Sequence, residues 1–214
     1  MVAMTRYYLA LLAHSQRYLP ALLAYLALCV ILYADPNSPV LPLYGVSAGG
    51  LLVVACWLTI ALLDIEDPVQ RLITLSHARR WRRLINGAIL TVFLIALALA
   101  LITVAFSAVK TGKASPSALA IGLLAHLSCT LLGIAIALPL SRLLVARIGW
   151  TVLTAVMVLI PVILAKWIPL VHPLLQALTV EGPVTGSLVL ALVTSSAALA
   201  VSALGVTWAV RRRA

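Results

Sequence analysis

Gly45-Val46-Ser47-Ala48-Gly49 matches G-x-S-x-G, the pattern of a nucleophilic serine turn. Such a serine needs a histidine within hydrogen-bond reach to take its proton. His126 is the candidate, since it is the only ionisable residue deep inside an apolar run. Counting inward along the two runs, the pair differs in depth by about 7 Å before tilt. The same five residues also read as G-x-x-x-G, which lets two helices approach closely in lipid. Close packing is the preferred reading, and an intramembrane serine hydrolase is the minor alternative.

His126 neighbours Ser128 and Thr130. Ionisable groups inside a membrane usually face a bundle interior or a pathway. One reading is a neutral histidine bonded to another helix. The other is a substrate path lined by His126, Ser128, Thr130, Pro161 and Ser195. Thr194, Ser195, Ser196 and Ser202 give the last run a small polar face, more often helix contact than ligand binding. Pro161 removes one ladder bond and can kink its helix.

Other chemistry is missing at the level of motif. No P-loop, dinucleotide fingerprint or zinc spacing occurs, and Cys29, Cys56 and Cys129 sit singly in apolar runs, as packing residues do. No acidic residue lies inside a run, which argues against an ion-coupled carrier. Energy for any transport would come from another polypeptide.

The elements that must position these residues are transmembrane helices. The chain is 64% hydrophobic and 9% charged, far from the balance of a soluble domain. Its apolar runs are continuous rather than alternating, so helices are expected over a barrel. Spans are predicted at residues 19–34, 43–63, 84–109, 117–140, 150–165 and 184–210. The first is short for a core about 30 Å thick. Residues 1–18 read as an interfacial helix, with Arg6, His14 and Arg17 on one side. Residues 168–182, with Pro169, His172 and Pro173, are too short to cross and read as an outer re-entrant segment.

With both termini in the cytoplasm, only Lys110, Lys113 and Lys166 of the fifteen Lys/Arg lie outside. The net charge of +10 is therefore read as topology and lipid attraction, not nucleic-acid binding.

Residues 64–83, DIEDPVQRLITLSHARRWRR, interrupt the apolar pattern with three of the five acidic residues. Asp67 can cap a helix and Pro68 suits its first turn. Ile65, Val69, Leu72 and Ile73 fall on one helical face. Arg79, Arg80, Arg82 and Arg83 arrive where cations favour a helix C-terminus. A short amphipathic docking helix outside the bilayer is predicted.

This topology, with its sharpest match at residues 62–90, LLDIEDPVQRLITLSHARRWRRLINGAIL, resembles the membrane subunits of type-2 ABC exporters, notably actinobacterial permeases. The resemblance implies an all-α membrane protein in a bacterial plasma membrane, forming one transmembrane domain over residues 1–214. It would have six transmembrane helices, an N-terminal interfacial helix at 1–18, a cytoplasmic coupling helix at 64–84 between spans two and three, and an outer re-entrant segment at 168–182 before span six. It also implies a separate ATP-binding-cassette subunit carrying ATP and Mg, and a second permease chain, identical or similar. Asp64, Glu66, Asp67, Gln70, Arg71, His77, Arg79 and Arg80 would dock the ATPase. The permease itself would hold no cofactor and catalyse no reaction; the cargo would be amphipathic or lipid-like. A non-transporting anchor or regulatory subunit is the alternative.

Overall fold

The computed structural model describes residues 2–78, 80–112, 115–141, 143–145, 148–164, 172–179 and 184–213. Among them the only regular elements are helices: α1 (Val2–Ser15), α2 (Leu19–Leu32), α3 (Val40–Ile65), α4 (Pro68–Ala78), α5 (Trp81–Thr111), α6 (Pro116–Leu140), α7 (Ile148–Leu164), α8 (His172–Thr179) and α9 (Val184–Arg213).

Four of these are long and apolar enough to cross a bilayer: α3, α5, α6 and α9. A fifth crossing exists only if α1 and α2, bent by 84° to one another, count as one broken span. The expected six spans are thus corrected to four, or five. The reason is length. The 14 residues of α2 rise about 21 Å and the 17 of α7 about 25 Å, short of a core about 30 Å thick. Local breakers set the ends of α2. Gln16 takes a left-handed φ of 54° just before it. Just after it, Asp35 gathers the Asn37 amide at 2.9 Å and the Ser38 hydroxyl at 3.2 Å into a turn.

The long helices pack around α3 and α6, whose mutual contact is the most extensive in the fold. Two glycines on α6 allow it. A Cβ on Gly122 would strike the Tyr44 ring, and one on Gly133 would strike the Leu52 carbonyl oxygen. Of the expected close-approach pair, Gly45 is buried, but a Cβ on Gly49 would meet nothing within 4 Å. α5 packs on α3 and α6, α9 packs on α6 and also touches α5, α2 packs on α3, and α1 packs on α5 and α3.

The polar stretch at 64–84 is not one helix. α3 runs on through Asp64 and Ile65, α4 occupies Pro68–Ala78, and α5 begins at Trp81. The basic cluster therefore straddles a break, with extended Arg80 preceding α5. Arg83 reaches back, donating to the Ala78 carbonyl at 3.5 Å. Of the predicted re-entrant segment, the described part is α8, packed on α3 and α9. The remainder of that segment, like Arg79, lies outside the described residues, so a re-entrant course is not established.

Candidate functional site

The polar stretch folds into a latch at one end of the bundle. Asp64 and Glu66 are 6% and 1% exposed, and Arg71 is 9% exposed. Arg71 Nη2 donates to the Leu63 carbonyl at 2.7 Å and to the Glu66 carbonyl at 3.3 Å. These are end-of-helix carbonyls of the kind that lack partners within their own helix. Arg71 Nε also lies 3.9 Å from Glu66 Oε2. Glu66 Oε1 accepts from the Tyr7 hydroxyl at 3.0 Å and the Thr74 hydroxyl at 3.1 Å. Gln70 Nε2 donates to Tyr7 at 3.1 Å. Arg17, in the bend after α1, pairs with Asp64 at 2.6 Å.

The consequence for the predicted docking residues is a division. Glu66 and Arg71 hold α4 to α1 and the end of α3, and Asp64 ties α3 to the bend after α1. Asp67, Gln70, His77 and Arg80 are exposed. Alongside them α4 turns an apolar ridge outward: Val69, Leu72 and Ile73 are 65%, 60% and 58% exposed. An amphipathic helix normally buries that face. Here the latch captures the opposite face, so the apolar ridge stands free among charged neighbours.

A second polar constellation lies inside the bundle. His126 Nδ1 is 2.6 Å from the Gly122 carbonyl, which can only accept. Nδ1 therefore carries the proton and Nε2 is the acceptor. The Ser47 hydroxyl lies 3.0 Å from Nε2, and the Tyr33 hydroxyl lies 3.1 Å from Ser47. The donors and acceptors close into one chain: Tyr33 to Ser47, Ser47 to His126, His126 to Gly122. Tyr44 sets its ring edge-on to His126 at 6.1 Å and bonds Ser107 at 2.6 Å. Tyr25 bonds Thr103 at 3.0 Å.

Helix offset thus removes the depth difference counted along the sequence, and the serine and histidine meet. The pair has the contact a nucleophilic dyad requires. Both residues are fully buried, however. Ser47 also sits within continuous α3 rather than on a strained turn. The arrangement satisfies buried polar atoms and ties α2, α3 and α6 together. A Ser47→Ala variant is expected to fold with about 1–2 kcal/mol less stability. Adding Tyr33→Phe should cost little more, because one bond chain is already cut. Fully additive losses in thermal midpoint would show that the chain does not act as a unit.

The other predicted pathway residues do not join it. Ser128 and Ser195 bond the carbonyls of Leu124 and Ala191 on their own helices, at 2.7 and 2.6 Å. Thr130 is buried with no hydrogen-bond partner among the described residues. Pro161 lies on the exposed side of α7. Sequence reasoning missed Tyr25, Tyr33 and Tyr44 as members of the polar core. The available signal was a phenol inside an apolar run, which needs a partner.

No protein-family model matches the chain, and no curated protein or solved structure matches it. The long apolar helices make it a predominantly helical, multi-pass membrane protein, an architecture compatible with transport in general.

Proposed function

We propose that the chain is the membrane-spanning permease subunit of an ATP-binding-cassette exporter, performing no chemistry of its own. It would move an amphipathic or lipid-like cargo with ATP and Mg held by a soluble partner, beside a second permease chain. The observation that carries this reading is the outward apolar ridge of α4. Val69, Leu72 and Ile73 form an apolar centre with Asp67, Arg80, Arg82 and Arg83 exposed nearby, the composition of a protein interface core with a polar rim. The latch through Glu66 and Arg71 makes the helix continuous in mechanics with α3, so a push on α4 reaches a long span. The resemblance of residues 64–84 to exporter coupling segments supports the same partner.

A photoreactive amino acid at Leu72, activated in native membranes, tests the docking. The expected crosslink is to a Walker-motif ATPase, and Leu72→Asp should reduce co-purified ATPase about thirtyfold, the effect of losing a 2 kcal/mol anchor. Crosslinks confined to lipid or to a second copy would overturn the assignment. ATP-dependent cargo movement in reconstituted vesicles separates a permease from a mere anchor.

The Ser47–His126 distance favours a second reading, an intramembrane hydrolase. A fluorophosphonate probe discriminates. The permease reading expects no labelling; labelling lost in Ser47→Ala would replace it with the hydrolase.

A further inference from the structure

The exposed side of α3 carries a furrow unrelated to the α4 ridge. Near the Arg17 end, Pro20, Ala21 and Ala24 of α2 face Val53, Val54 and Trp57 of α3 around a groove of about 460 Å³. Leu28 and Gly50 line this groove and also the next, of about 420 Å³, which continues past Gly49 and Val46 to Pro42. Each is the size of a pocket that takes a small molecule, roughly 300–1,000 Å³. From Trp57 to Pro42 the furrow follows α3 for about 22 Å. That exceeds one leaflet of hydrocarbon, about 15 Å, half of a core about 30 Å thick. Its lining side chains are apolar apart from the phenol of Tyr25 and the indole of Trp57.

A half-exposed arginine stands at the mouth of the furrow. Trp57 Nε1 donates to the Arg17 carbonyl at 3.3 Å, which fixes Arg17 beside the groove's end. The Arg17 side chain is 50% exposed even while one nitrogen, Nη1, holds Asp64. A guanidinium has five N–H donors and suits phosphate. Trp57 itself sits where indoles mark the headgroup level.

We infer that this furrow binds one acyl chain of an anionic glycerophospholipid, with the phosphate seated on Arg17. A long apolar trough ending at a half-exposed guanidinium matches an amphiphile with a fatty tail and an anionic head. A second copy of the chain fits less well. Its helix would have to cover the half-exposed Arg17 guanidinium and strip water from the donors that Asp64 leaves unused, and buried donors without acceptors are costly. The inference goes beyond the transport reading and stands whether or not α4 meets an ATPase.

Delipidated full-length protein, titrated with phosphatidylglycerol or phosphatidylcholine and read by native mass spectrometry, tests it. Both lipids offer a phosphate, but the choline cation of phosphatidylcholine is repelled by Arg17, so phosphatidylglycerol should be retained about tenfold more tightly. Arg17→Gln should abolish the preference and Arg17→Lys should keep part of it. Because Arg17 also pairs with Asp64, a second variant is needed. Ala24→Trp fills the exposed trough, leaves that pair intact, and should lower phosphatidylglycerol retention about tenfold. Equal retention of the two lipids overturns the inference. So does unchanged retention in Ala24→Trp, which would leave a headgroup site without a trough. Conversion of a dimer to a monomer by Ala24→Trp, with lipid binding intact, would assign the furrow to a second copy instead.

Discussion

Gly133→Ala is expected to destabilise the bundle by about 3 kcal/mol, the upper end of overpacking costs. The added methyl would press on the Leu52 carbonyl oxygen, and would come within 3.1 Å of Ala55 Cβ and 3.2 Å of the Cys56 amide nitrogen. None of these is the yielding end of a long side chain. Relief requires α3 and α6 to separate, and their contact is the largest in the fold. The Ser47–His126 and Tyr44–His126 contacts bridge the same two helices, so they would loosen together. Gly49→Ala is the control. Its methyl meets nothing within 4 Å, and alanine is the better helix former, so stability should hold or rise slightly. Thermal midpoints measured in one detergent compare the two. Equal midpoints would show that α3 and α6 do not meet at Gly133.

Arg71→Met should release α4 from the bundle while the spans remain folded. The substitution keeps apolar bulk but strips the Leu63 and Glu66 carbonyls of their donor. It also leaves the Glu66 carboxylate, 1% exposed, without its nearest cation. Removing one partner of a buried pair costs roughly 3–5 kcal/mol. The 3.9 Å separation places this pair at the lower end, about 3 kcal/mol. Amide exchange across Pro68–Ala78 should then accelerate about a hundredfold, with α5 and α6 unchanged. Adding Glu66→Gln should recover part of the loss, because the amide oxygen still accepts from Tyr7 and Thr74 while the buried charge is gone. Unaltered exchange in Arg71→Met would mean that the latch does not hold α4. Mechanically, a freed α4 would also uncouple any ATPase bound to its ridge from α3.

The two substitutions fall on opposite sides of what could be read in advance. Asp67-Pro68 marked the start of α4 correctly, because capping and proline preferences act within one turn. The outward division of α4 was not legible. Asp64 and Glu66 looked like docking charges, but Arg17 lies 47 residues from Asp64 and Tyr7 lies 59 from Glu66. Only the fold brings those partners together and turns the carboxylates inward. The count of spans failed at α2 for a related reason. It is apolar along its length, but hydropathy does not report where a helix bends away.

By itself the sequence determined a membrane-embedded helical bundle and the location of its four long spans. It also determined the single polar interruption between α3 and α5. These follow from runs of neighbouring residues, because a bilayer demands about 20 apolar residues in a row and satisfies backbone groups within each helix. The tertiary structure alone decided which glycines touch, that Ser47 meets His126, and which face of α4 is left bare. Spans that are apolar on all sides carry no stripe to set their rotation. Their depth and azimuth are chosen by contacts between distant segments: Gly133 under Leu52, Tyr33 on Ser47, and Arg71 on the end of α3.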